Sequence, residues 1–100
     1  MKAIWNNKVI AEADKQDLIH IEGNWYFSPN SIKKEYFKPS DQHTTCPWKG
    51  QASYYNIVIG EQTNNDAAWY YPTPMQGSIE RVKKDFSNYV AFWHGIEVTE

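Results

Sequence analysis

Sulfur is scarce in this 100-residue chain, which has two methionines and a single cysteine, Cys46. One thiol cannot form an internal disulfide and offers a metal only one ligand, which excludes a disulfide framework and a Cys-rich zinc site. The expected compartment is a reducing one, the cytoplasm. An excess of charge of one sign is also missing. Ten Lys and Arg against twelve Asp and Glu leave a formal net charge of −2 without long runs of either sign. So weak a field does not gather a polyanion, and nucleic acid is not the expected partner. No apolar run approaches the ~20 residues that span a bilayer. The opening Met1-Lys2-Ala3-Ile4-Trp5-Asn6-Asn7-Lys8 lacks the apolar core of a signal peptide, so no membrane partner is expected. The histidines His20, His43 and His94 lack the paired spacing of a metal site. No Ser-His-Asp, Gly-x-Ser-x-Gly or Cys/His/Asn pattern accompanies them, and neither a metal nor a cofactor is read from the chain.

Aromatic rings, by contrast, are abundant: five Trp, seven Tyr and four Phe. A chain of this length makes one domain, residues 1–100, burying roughly 60 to 70% of its unfolded surface. A few large rings can dominate such a core. Trp and Tyr carry polar atoms that need partners, and so small an interior cannot enclose all twelve, so some are expected to line a groove or face a partner.

Short β-like segments recur along the first half. Lys2 to Trp5 and Lys8 to Glu12 flank Asn6-Asn7, a pair suited to a two-residue hairpin turn; Leu18 to Ile21 and Trp25 to Phe27 repeat the pattern around Gly23-Asn24. After the caps of Ser28-Pro29-Asn30-Ser31, the spacing of Ile32, Tyr36 and Phe37 predicts a short helix that Pro39 ends. Ser40 to His43 reads as a polar loop. Gln51 to Ile59 reads as a long strand, Glu61 to Asp66 as a turn, and Ala67 to Tyr71 as the returning strand. Met75 to Phe86 has helical spacing at Ile79, Val82 and Phe86. Tyr89 to Trp93 and Ile96 to Thr99 flank His94-Gly95 as a closing hairpin. The fold expected is mainly β (α+β): a small single domain of antiparallel hairpins forming two packed sheets, with two short helices.

The rarest chemistry is concentrated in Thr44 to Tyr55, Thr-Thr-Cys-Pro-Trp-Lys-Gly-Gln-Ala-Ser-Tyr-Tyr. Pro47 fixes its own φ and biases Cys46 toward extended geometry, and Gly50 opens conformations closed to other residues. Cys46 reads as a small buried hydrophobe, as a thiol pointing into a groove, or as a nucleophile whose pKa His43 or Lys49 lowers. His43 alone reads as a solvated loop residue, because a general base needs an orienting partner. Lys49 reads as a solvated turn lysine or as an ammonium at the mouth of an aromatic groove. Trp48, Tyr54, Trp69 and Tyr71 fit an ordinary core. Equally, with Trp69 and Tyr71 on one strand face, they fit an aromatic wall beside Cys46.

Thr45, Cys46-Pro47-Trp48-Lys49-Gly50, Ala52 and Tyr54, followed by Trp69, Tyr71-Pro72 and Pro74 and then Ala91-Phe92, resemble the motifs of the domain-of-unknown-function 427 family, in order and over essentially the whole chain. The resemblance implies a compact, mostly β fold, similar to the tent-like pairing of sheets in small ligand-binding and zinc-binding domains. The paired cysteines of those zinc sites are absent here. Members of the family are sometimes labelled nucleotidyltransferases. That chemistry needs a Gly-Ser turn followed by closely spaced carboxylates for metal ions, whereas Gly77-Ser78 is followed only by Glu80 and Asp85 across a lysine-rich segment.

Three functions stay open. The first is a small-ligand-binding domain, monomeric or weakly dimeric, with His43, Cys46, Trp48, Lys49, Tyr54, Trp69 and Tyr71 around an unknown small molecule. The second is an enzyme using Cys46 as nucleophile or Lys49 as electrostatic stabiliser. The third is a protein-interaction module whose exposed rings meet a partner.

Overall fold

In the computed structural model, which describes residues 1–100, turn chemistry sets the first half of the chain. Strands β1 (Lys2–Trp5) and β2 (Lys8–Glu12) join through Asn6 and Asn7, both left-handed at φ 52° and 62°. Two such residues give a turn whose twist matches an antiparallel pair. Strands β3 (Ile19–Ile21) and β4 (Asn24–Tyr26) turn through Glu22 and Gly23, at φ 53° and 83°. The turn falls one residue earlier than expected, because Asn24 pairs with Ile21 in the ladder.

The helix expected from Ile32 to Phe37 does not form; one 3-10 turn, Lys34–Tyr36, takes its place. The reason is competition for backbone groups. Glu12 donates its N–H to the Ser31 carbonyl, and Lys33 donates to that of Ile10, so the edge of β2 takes the bonds a helix would use. Strand β5 (Phe37–Cys46) follows and includes both Pro39 and the residues expected to be a loop, Ser40 to His43. Pro39 is tolerated because β5 is the outer strand of its sheet and needs no second ladder bond there. A register shift between Pro39 and His43 absorbs the polar residues as a bulge.

Strand β6 (Gly50–Ile59) forms hairpins with β5 and with β7 (Gln62–Tyr70). The expected turn over Glu61 to Asp66 shrinks to Gly60-Glu61. Gln62, Thr63 and Asn64 pair with Ile59, Val58 and Ile57, held by ladder bonds that need no apolar side chain. Helix α1 (Gln76–Val82) is shorter than the apolar spacing predicts, because Lys83 adopts the left-handed conformation, φ 69°, and donates its N–H to the Ile79 carbonyl at 2.8 Å. Phe86 lies beyond the helix and is fully buried.

Strands β8 (Val90–Phe92) and β9 (Glu97–Thr99) do not form the expected hairpin. β8 pairs with β7 and β9 with β1, so His94-Gly95 carries the chain between sheets. The protein is mostly β, with sheets ordered β2-β1-β9, β3-β4 and β5-β6-β7-β8, one α-helix and two 3-10 turns. Phe27 and Val90 exchange both backbone hydrogen bonds at 2.8 Å and lace the second sheet to the third. The alternation of β6 divides the interior. Tyr55 and Ile57 face a core containing Phe27, Phe37, Val90 and Phe92, while Ala52 and Tyr54 face a second containing Tyr26, Tyr71 and Phe86.

Candidate functional site

The β5–β6 turn, Pro47-Trp48-Lys49, is anchored from three sides. Gly50 adopts φ 111°, and Met75 donates its N–H to the Lys49 carbonyl at 2.9 Å, seating the turn against the segment that leads into α1. The Lys49 side chain folds inward, leaving the residue only 6% exposed. Its ammonium bonds the carboxylate of Glu22, at the tip of the β3–β4 turn, and lies 5.3 Å from the ring centre of Trp48 and 5.2 Å from that of Tyr71. Arg81 of α1 covers Trp48 at 4.4 Å. Two hairpin tips and the helix therefore close around one cation, held by an ion pair and by aromatic faces.

The electrostatics follow from that closure. Burial alone would lower the Lys49 pKa, but the hydrogen bond the ammonium donates to Glu22 and the nearby Tyr26 and Tyr71 outweigh it, and the net shift is upward. The Lys49 hydrogen bond holds the Glu22 carboxyl below its ordinary range. Burial raises the Tyr26 phenol and pushes that of Tyr71 up to about 12. Lys49 stays protonated at neutral pH, so it offers no free amine for Schiff-base chemistry.

Cys46, Trp48, Tyr54, Trp69 and Tyr71 gather in the second core cluster, with Lys49 at its edge. Cys46 is half-buried at the end of β5. Tyr54 and Thr44 share a hydroxyl hydrogen bond of 2.8 Å, and Trp69 Nε1 donates to the Tyr26 hydroxyl at 3.0 Å. His43 stands apart. It lies opposite Ser53, which alternates with Tyr54, so its exposed ring faces the other side of the sheet, with Nδ1 3.2 Å from Ser53 Oγ. Sequence spacing missed Glu22, Arg81 and Trp93. Glu22 and Arg81 are far from Lys49 in the chain and carry no motif. Trp93, read as the end of a strand, stacks on Tyr54 at 6.2 Å and meets Trp69 edge-on at 5.2 Å. It covers the aromatic wall while remaining 44% exposed itself.

None of the seven expected site residues lines a cavity. One cavity of about 370 Å³ opens on the opposite face of β6, floored by Phe37, Tyr55 and Val90 and walled by Pro29, Ile32 and Pro39. Lys34 and Asn88 supply its polar groups. A second, more open cavity of about 400 Å³ lies over the β5 bulge and is wholly polar, with Asp41, Gln42, Asn56 and Asp66 among its lining.

Gly77-Ser78 belongs to the start of α1. The buried Ser78 hydroxyl donates to the Met75 carbonyl at 2.6 Å, and the Asp85 carboxylate accepts both the N–H and the hydroxyl of Ser87. The first bond shapes the start of α1 and the other two a turn beyond its end, and no three His, Cys, Asp or Glu side chains converge on a common point.

Fold and site define a small antiparallel β domain in which an aromatic cluster is clamped by a buried lysine. The chain belongs to the family described as Domain of unknown function (DUF427), whose model matches residues 1–99. No curated protein matches it.

Proposed function

We propose that this domain binds a small molecule, and that the ligand enters the cavity between the 29–39 segment and β6. The observation that carries the reading is the cavity itself: about 370 Å³, mainly apolar, with two polar groups at its rim. That is the usual composition of a small-ligand site, at the lower end of its usual size. The Cys46–Lys49 turn then acts as support. Tyr54 and Tyr55 are neighbours on β6, so the clamp that holds Tyr54 on one face also fixes the position of Tyr55 on the other. In this reading Lys49 is an anchor, its charge already met by Glu22. The protein works in the cytoplasm, where its one free thiol stays reduced.

A thermal-shift screen with mixed metabolites tests the proposal, because a ligand at 100 times its dissociation constant stabilises the native state by about 2.7 kcal/mol. A shift that disappears when Ile32→Trp fills the cavity supports it. No shift with any compound transfers the weight to an interaction module, for which the exposed Trp93 and Met75 are the contact candidates.

A further inference from the structure

We infer that the cavity beside Tyr55 selects a small, flat aromatic acid carrying one negative charge. The inference rests on the small-ligand reading above and adds the chemistry of the ligand to it.

The shape of the cavity argues for a ring. Tyr55 is locked in place, stacked on Tyr70 with centroids 4.6 Å apart and planes 21° apart, and met edge-on by Phe37 at 5.5 Å and 90°. Both contacts are made within the protein itself, and a floor held in this way does not need a ligand to order it. Pro29 and Pro39 face the same space with rigid pyrrolidine rings. A cavity lined by stiff rings favours a flat, stiff occupant, because aromatic rings pack best in offset or edge-on contact. At about 370 Å³, one or two fused rings suffice.

The charge at the rim argues for an anion. Lys34 is exposed and takes no part in the protein's three ion pairs, Lys2–Glu12, Lys15–Glu100 and Lys49–Glu22. No Asp or Glu lines this cavity, whereas Asp41 and Asp66 line the other one, which has no cation. Lys33 and Lys38 flank the same segment, against Glu35 alone. Asn88, held at φ 64°, brings a neutral amide that can donate a second hydrogen bond to a carboxylate. One ammonium and one amide match a carboxylate. The bidentate guanidinium that favours phosphate is absent, since the only arginine, Arg81, covers Trp48.

The test is a pair of ¹H–¹⁵N NMR titrations with 2-naphthoate and its uncharged analogue 2-naphthamide, on the protein and on its Lys34→Glu and Lys34→Gln variants. Lys34 is exposed, so both variants should keep the native spectrum. Naphthoate is expected to move the amide signals of Ile32, Phe37, Tyr55 and Val90 and to bind about tenfold more tightly than naphthamide. Lys34→Gln should remove that preference and Lys34→Glu should reverse it, with naphthamide binding unchanged. Added salt should weaken only the acid. Equal binding of acid and amide at these residues, in the protein and in both variants, overturns the charge assignment and leaves the small-ligand reading standing. Signals that move only around Cys46 to Lys49 overturn the site. No response to either probe, joined to a metabolite screen without a thermal shift, overturns both.

Discussion

The two faces of β6 bury similar side chains by different means. Around Tyr55 and Ile57 the partners are Phe27, Phe37, Val90, Phe92 and small alanines, and none of these buried side chains carries a polar atom. Around Ala52 and Tyr54 the partners are Tyr26, Tyr71, Trp69 and the buried Lys49, and the polar tips meet in specific bonds: Trp69 to Tyr26, Tyr54 to Thr44, Lys49 to Glu22. No buried polar side-chain atom in the protein lacks a partner. The first face is held by non-directional burial, which tolerates a hollow at its edge; the second is closed by directional contacts that fix each ring. This explains why the cavity lies beside the plainer core and not beside the chemically richer turn.

The largest effect that can break this comparison is in the plain core. Phe27 is fully buried and meets Phe92 edge-on at 5.6 Å, so Phe27→Ala should cost about 3–5 kcal/mol in urea unfolding, with little dependence on pH. Next comes the clamp. Glu22→Ala leaves an ammonium buried without its counter-charge and should cost about 2 kcal/mol, discounted because Glu22 is half-exposed. Lys49→Met removes charge and need together and should cost less; the opposite order would show that the ion pair is not what holds the turn.

A smaller effect follows pH, and the first face shares part of it, because burial and the neighbouring Tyr70 also raise the Tyr55 phenol. Tyr26, Tyr71 and Lys49 all have raised pKa values in the folded state, so the stability they contribute is complete below their ordinary values and is lost as pH rises through the folded ones. For Tyr71 the window runs from its ordinary 10.0 to about 12. Melting temperature should therefore fall above pH 10 by roughly 5 °C or more, and Tyr71→Phe should flatten that fall. Glu22 acts in the opposite direction: its lowered pKa stabilises the fold above its ordinary 4.5, and that share is lost as acid protonates it. The smallest expected change is Trp93→Ala, about 1 kcal/mol, because the ring is only partly buried. It should uncover Tyr54 and Trp69, measurable as brighter dye binding, without altering ligand binding on the other face.

Much of the strand pattern was legible because its causes are local. Asn6-Asn7 announces a turn wherever it occurs, and the Tyr, Ile and Val of Gln51 to Ile59 mark a strand. The helix expected over Ile32 to Phe37 is absent for a non-local reason, since the backbone of Ser31 and Lys33 bonds to β2 about twenty residues earlier. His94-Gly95 is a turn signal, and both residues are left-handed at φ 54° and 84°, but strands of three residues carry too little pattern to name a partner, so the expected β8–β9 hairpin does not follow. Strand alternation put Ala52 with Tyr54 and Trp69 with Tyr71, but that these side chains gather beside Cys46 and Trp48 is a result of tertiary packing. So is the inward turn of Lys49, because it depends on Glu22, which sits 27 residues away in an unrelated hairpin.

Composition and turn residues by themselves determined a single, mostly antiparallel β domain with more aromatic rings than a plain core can use, since period-two alternation and left-handed turns are properties of a few adjacent residues. Only the tertiary structure decided which rings are covered, which lysine is buried and which is free, and where space remains. Those outcomes depend on contacts among segments distant in the chain. The cavity alone draws on residues from Pro29 to Pro39, on Tyr55, and on Asn88 to Val90.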